Sequence, residues 1–189
     1  MKLLVDRLSA TPRELAFEGD AAWWRELGRP ENEVEPRLAG AVRVRIHAPK
    51  MGEDVSLEGV AEAELECGCS RCLARYRHAL REPFRIVLEP AGARVPSDPE
   101  AAAALARDGM CLGDELDAGW YRGSEIDLRH YLQEVVVLAL PVQPLCREDC
   151  RGLCPHCGVD RNVETCTCAE ATPSSPFAVL RRLRVERGD

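Results

Sequence analysis

At 189 residues, with 46% apolar residues and a net charge of −7, the chain can bury one sizeable core and carry a small appended module. It has no run of ~18 uninterrupted apolar residues, which excludes a membrane-spanning helix, and its acidic balance argues against a generic nucleic-acid coat. Ten cysteines follow an opening Met1-Lys2-Leu3-Leu4-Val5-Asp6 that has no apolar signal segment, so a soluble, cytoplasmic protein with reduced thiols is expected.

Taken in chain order, residues 1–8 read as a short apolar-rich strand. Residues 37–48 alternate, with Val42, Val44 and Ile46 on one face and Arg43 and Arg45 on the other. Residues 55–66 continue the pattern, with Val55, Leu57 and Gly59 opposed to Val60, Glu62 and Glu64. Phe84, Ile86 and Leu88 mark another strand. Between these two runs lies Cys67-Gly68-Cys69-Ser70-Arg71-Cys72-Leu73, a tight turn with three thiols.

Residues 89–123 are rich in Ala, Gly, Pro and acids. They read mainly as an acidic insertion or loop, with at most a short helical turn over 101–106. From 89 to 127, nine acids stand against three arginines, whereas 142–189 balances seven against seven. Ser124-Glu125-Ile126-Asp127 resembles a capping box, and Leu128, Tyr131, Leu132, Val135 and Leu138 follow at helical spacing. A helix over 125–140, stopped by Pro141, is therefore expected. Ser175 and Pro176 open a second helix, with Phe177, Leu180 and Leu183 as its apolar stripe and Arg181, Arg182 and Arg184 facing outward.

The fold class expected is α+β: an antiparallel, partly closed β-sheet with a long helix and a small Cys-rich tail module. Residues 1–141 form the β-rich domain, including the insert 89–123. Residues 142–189 form the tail, with its zinc module and C-terminal helix.

Six cysteines lie within 23 positions of the tail: Cys146, Cys150, Cys154, Cys157, Cys166 and Cys168. The Cys154-Pro155-His156-Cys157-Gly158 turn brings two thiolates to one point, as tetrahedral zinc requires. A disulfide-rich secreted domain is the competing reading, and the missing signal segment opposes it. Four of the six would hold one structural zinc. Cys69 and Cys72 are the alternative pair, and a second site is conceivable. Ligands close in sequence lose less loop-closure entropy, which favours a site made by the tail alone. Cys111 reads as a small buried hydrophobe and His156 as an exposed turn residue. The Cys-x2-Cys pairs lack the helix start of a thioredoxin-like dithiol, and there is no Ser-His-Asp, phosphate-loop or His-Glu-x2-His pattern. No enzyme is expected.

Several segments together resemble one family. Leu65-Glu66-Cys67-Gly68-Cys69-Ser70-Arg71-Cys72-Leu73 is similar to the strand turn of the YceD family, and the run from Trp120 to Leu128 with Leu138-Ala139-Leu140-Pro141 to its acidic-to-helix segment. Cys150-Arg151-Gly152-Leu153-Cys154-Pro155-His156-Cys157-Gly158, running on to Asn162, is similar to its tail. Ser175-Pro176-Phe177-Ala178-Val179-Leu180 resembles its closing motif, with Ser where Asn is common. The resemblance implies a role in synthesis, processing or stability of large-subunit (23S) ribosomal RNA. Many members lack the tail cysteines, which makes zinc a stabiliser of this chain's tail rather than the family's shared chemistry. Ribosomal RNA or a pre-ribosomal large subunit is the expected partner, contacted through Arg181, Arg182 and Arg184. The alternative is an acidic adaptor or holdase for a basic ribosomal protein, docking through 89–127 with Asp114, Glu115 and Asp117. Neither reading requires a membrane or a small-molecule substrate.

Overall fold

The computed structural model describes residues 1–25, 36–113 and 117–168. Among the described residues, besides a 3-10 turn at Val5–Arg7, ten strands and three α-helices follow in the order β1 (Lys2–Leu4), β2 (Glu14–Gly19), α1 (Ala21–Arg25), β3 (Arg37–Leu38), β4 (Val42–His47), β5 (Lys50–Met51), β6 (Asp54–Gly68) and β7 (Arg75–Pro90). After these come α2 (Pro99–Asp108), β8 (Met110–Leu112), β9 (Ala118–Tyr121), β10 (Glu125–Asp127) and α3 (Arg129–Leu138).

The hairpin β6–β7 is the spine. Its antiparallel register runs from Val55 opposite Leu88 to Gly68 opposite Arg75, and 15 residues of β6 span about 50 Å. Strict alternation makes this possible. Val55, Leu57, Ala61, Ala63, Leu65 and Cys67 all face inward and are buried, while the intervening positions carry Glu58, Glu62, Glu64 and Glu66. The short strands β5, β4 and β3 line the other edge of β6 end to end, and β2 pairs with β4. On the far side β9 joins β7 in parallel and β8 closes the series.

The sheet is open, ending at β2 and β8, so the expected partial closure is not formed. Closure is unnecessary because only one face is apolar. α3 packs on β6 and β7 there, and Leu132 and Val136 are buried among Ile46, Leu57, Leu65 and Ile86. The opposite face is a ladder of charges in which Glu62 takes both Arg45 (3.1 Å) and Arg81, Arg77 meets Glu64 (3.3 Å) and Arg43 meets Glu18 (3.7 Å).

Two expectations need correction. The long helix over 125–140 is the ten-residue α3, because Glu125–Asp127 form β10 against β1 and Ile126 is buried there. A partner strand from the far end of the chain outcompetes the local helix pattern. The stretch 89–123 is not mainly a loop. Asp98 caps α2 by accepting the Ala101 amide (2.9 Å), Gly109 ends it at φ +73°, and β8 and β9 extend the main sheet. Leu105 and Cys111 are buried together under Trp120.

Asp127, not Ser124, serves the start of α3. It accepts the Arg129 amide (3.0 Å) and guanidinium (2.9 Å), and the Met1 ammonium lies 3.5 Å away. Burial opposes its ionisation, but these donors outweigh it and hold the carboxyl below its usual range. A depressed folded-state pKa contributes stability that is present above ~3.9 and disappears as pH falls through the lower folded value. Asp127→Asn should therefore be less stable than the parent at neutral pH in urea titrations, with the difference shrinking as pH falls below the usual carboxylate range.

Candidate metal centres

The turn joining β6 to β7 carries Cys69 and Cys72 at the hairpin's far end. Its geometry is set by the Leu73 amide on the Cys69 carbonyl (2.9 Å) and the Cys69 amide on the Ala74 carbonyl (2.9 Å). The chain beyond α3 returns to this turn. The Ser70 amide donates to the Pro144 carbonyl (2.8 Å), the Leu153 amide to the Arg71 carbonyl (3.0 Å), and the Arg71 guanidinium to the Cys150 carbonyl (2.9 Å). Gly152 permits the closest approach: it sits at φ +69°, and a Cβ there would lie 2.9 Å from the Arg71 carbonyl oxygen. Leu145, Leu153 and Tyr76 pack around the junction.

This docking gathers Cys69, Cys72, Cys146 and Cys150 into one group and leaves Cys154, Cys157, Cys166 and Cys168 as a second. The sulfurs of each group all lie within 4.8 Å of one another. In the first, Cys69 and Cys150 are 3.7 Å apart, as are Cys72 and Cys146. In the second, Cys157 and Cys166 are 3.6 Å apart, and Cys154 and Cys166 3.3 Å. A tetrahedral ion with Zn–S bonds of about 2.3 Å separates its sulfurs by about 3.8 Å, so both groups fit a four-thiolate metal. None of the ten cysteines is in a disulfide. Four soft sulfurs favour zinc and disfavour the oxygen-seeking magnesium and calcium.

The second group is built on a knuckle. The Gly158 amide donates to the Cys154 carbonyl (2.9 Å) and the Cys154 amide to the Val159 carbonyl (2.8 Å), with Gly158 at φ +72°. The amides of His156 and Cys168 point at the sulfurs of Cys154 and Cys166, each at 3.4 Å. His156 is exposed and stands outside both groups.

In each group one thiol ionises readily while others resist. Burial raises Cys69, but the amides of Cys146, Cys72 and Arg71 outweigh it and bring the thiol to about 6. The Cys157 and His156 amides likewise lower Cys154 to about 6. Burial and the neighbouring thiols of Cys72, Cys69 and Cys150 push Cys146 up to about 12, and contacts with Cys166 and Cys157 push Cys168 to about 12. A dication at the centre is what would relieve this competition.

Sequence reasoning weighed one tail site against the Cys69/Cys72 pair. The structure gathers a tail-only set, Cys154, Cys157, Cys166 and Cys168, as favoured, and also joins Cys69 and Cys72 to Cys146 and Cys150, so it offers two candidate centres where about one ion was expected. The loop-closure argument overlooked that β6–β7 and α3 already bring residue 144 to the hairpin tip. Cys67 belongs to neither group: it is buried in the main core, where burial raises its thiol pKa. Arg181, Arg182 and Arg184, like Asp114 and Glu115, lie outside the described residues. The buried Asp108 carboxylate accepts from Arg107 (2.7 Å) and faces His130 (2.9 Å), tying α2 to α3.

The family described as large ribosomal RNA subunit accumulation protein YceD matches residues 57–184, which span the hairpin and both cysteine groups. An uncharacterised protein of Mycobacterium tuberculosis is 30% identical over 114 residues, covering 60% of this chain and 48% of that protein. An uncharacterised protein of Mycobacterium leprae is 28% identical over 123 residues, 65% and 50% of the two chains. The Arabidopsis thaliana large ribosomal RNA subunit accumulation protein YCED homolog 1, chloroplastic, is 21% identical over 162 residues, 76% and 48% of the two. The chain thus spans about half the length of the curated relatives it matches. No solved structure matches it.

Gly152→Ala tests the docking of tail on hairpin. Left-handed backbone and the close Arg71 carbonyl should together cost about 1–3 kcal/mol. Limited proteolysis should then cut faster within 142–153 than in the parent, with β6–β7 amides still protected from hydrogen exchange.

Proposed function

The chain belongs to the YceD family, and from that membership we propose that it is a non-enzymatic ribosome-biogenesis factor acting in the cytoplasm. It supports the synthesis, processing or stability of large-subunit (23S) ribosomal RNA. The observation that carries this reading is the family match, which covers the spine of the fold and both cysteine groups. Zinc is the cofactor and its role is structural: the four-thiolate groups order a tail that has little core of its own.

Electrostatics limits how RNA could be met. The arginines on the exposed sheet face are largely matched to glutamates, so that face offers little net attraction to phosphate. Contact with RNA is assigned to Arg181, Arg182 and Arg184, the basic cluster near the end of the sequence. The second reading, an acidic adaptor for a basic ribosomal protein, gains support from the same charges. The chain carries −7 before metal is counted, and four thiolates around each dication leave two further negative charges per centre. Such a surface attracts an arginine- and lysine-rich client.

The test is binding of purified protein to pre-large-subunit particles across a salt series, with 23S precursor levels followed in a strain lacking the gene. The Arg181→Gln, Arg182→Gln, Arg184→Gln variant should fold normally, bind more weakly and flatten the log–log salt dependence by up to ~3 units. Unchanged binding by that variant, with loss on neutralising Asp114, Glu115 and Asp117, would move the assignment to the protein client. Normal 23S accumulation without the gene would overturn the proposal.

A further inference from the structure

The two cysteine groups differ in burial, and they share a short stretch of chain. Cys69, Cys72 and Cys150 are buried and Cys146 is partly so, whereas Cys157 and Cys168 are exposed. Cys150 belongs to the first group and Cys154, four residues on, to the second. The chain between them is the segment docked on Arg71 through Gly152 and Leu153.

A second connection runs through Asn162, in the loop between Cys157 and Cys166. Its side-chain oxygen accepts from the Arg151 amide (2.8 Å) and the Arg147 guanidinium (2.9 Å). Its side-chain nitrogen donates to the Cys150 sulfur (3.4 Å) and to an Asp160 carboxylate oxygen (2.6 Å). The Arg161 amide donates to the Gly152 carbonyl (3.0 Å), and Leu153 bridges Asp160. The loop of the exposed group is thus fastened to a ligand of the buried one.

We propose that the chain carries two metal centres of unequal lability that load in order. Cys69, Cys72, Cys146 and Cys150 form a slow clamp, and Cys154, Cys157, Cys166 and Cys168 form an exchangeable centre built on it, with Asn162 as the positioning residue that joins them. The inference rests on the reading that these cysteines hold zinc, and it adds stoichiometry, order and coupling. The burial of the clamp sulfurs excludes competing chelators, while Cys157 and Cys168 leave the second ion open to them. An N–H donor on a ligating sulfur orients that ligand, and loss of such an outer partner typically weakens a metal site 10–100-fold. The coupling is reciprocal: opening the clamp frees residues 150–154 and deprives the Asn162 side chain of its fixed acceptor, and emptying the exposed centre loosens the loop that carries Asn162, so the clamp keeps its ion but holds it less firmly.

The test uses reduced full-length protein purified with zinc. Native mass spectrometry should count two zinc ions, and a chromogenic chelator should remove them in two phases of equal amplitude differing at least 10-fold in rate. Cys157→Ser with Cys168→Ser should keep one ion, the slow one. Cys69→Ser with Cys72→Ser should lose the slow phase and speed release of the remaining ion. Asn162→Ala should fold and keep both ions while accelerating the slow phase about 10-fold. In its cobalt-substituted form the sulfur-to-metal charge-transfer band of the clamp should shift, a change that general loosening of the surface would not produce. A single release phase, one ion per chain, or an Asn162→Ala variant identical to the parent would overturn the inference while leaving zinc in place. Protein that never holds metal would sink the zinc reading as well.

Discussion

The register of one hairpin governs this structure. Pairing β6 with β7 over its full length sets an apolar row from Val55 to Cys67 against α3, and the same pairing carries Cys69 and Cys72 to the hairpin's far end. Slipping that register by one residue would turn the buried valines and leucines to solvent and the glutamates inward. Core and metal chemistry therefore share one constraint: the alternation that buries Leu65 and Cys67 also determines where the thiols of the turn project.

Beyond Pro141 the physics changes. Val142 and Val163 are 98% and 80% exposed, and the junction buries little apolar surface beyond Leu145, Leu153 and Tyr76. So small a core cannot offset the entropy of ordering some 25 residues at ~1–2 kcal/mol each. A metal held by the two cysteine groups would supply what packing does not, because binding free energy at such sites acts as folding free energy. The left-handed glycines at 152 and 158 mark where the chain must turn tightly for this to happen.

Much of this was legible in the sequence. Period-two alternation located β4, β6 and β7, because one face of each is buried and the other solvated, and the cysteine spacing of the tail pointed to a metal. What escaped depended on distant parts of the chain. Glu125–Asp127 carry a helix-start pattern, and only Lys2–Leu4 make them a strand. The alanine-rich, acidic run after Pro90 resembles a loop until β9 is seen beside β7. Cys67 and Cys69 are two residues apart, yet the strand keeps one in the core while the turn hands the other to the tail. The tail-only set of Cys154, Cys157, Cys166 and Cys168 is the kind of site the sequence favoured, whereas the joining of Cys69 and Cys72 to Cys146 and Cys150 escaped it. Entropy counted along the chain treated residues 69 and 146 as remote, although the fold had already made them neighbours.

The family match, to the large ribosomal RNA subunit accumulation protein YceD, covers both four-cysteine groups, and these groups meet where residues 144–153 dock on the hairpin turn. The most direct test of that junction is anomalous diffraction at the zinc edge from crystals of the reduced protein. Two peaks per chain are predicted, one of them enclosed by Cys69, Cys72, Cys146 and Cys150 at the hairpin tip. A single peak at the Cys154–Cys157 knuckle, with Cys69 and Cys72 bearing no metal, would contradict the account.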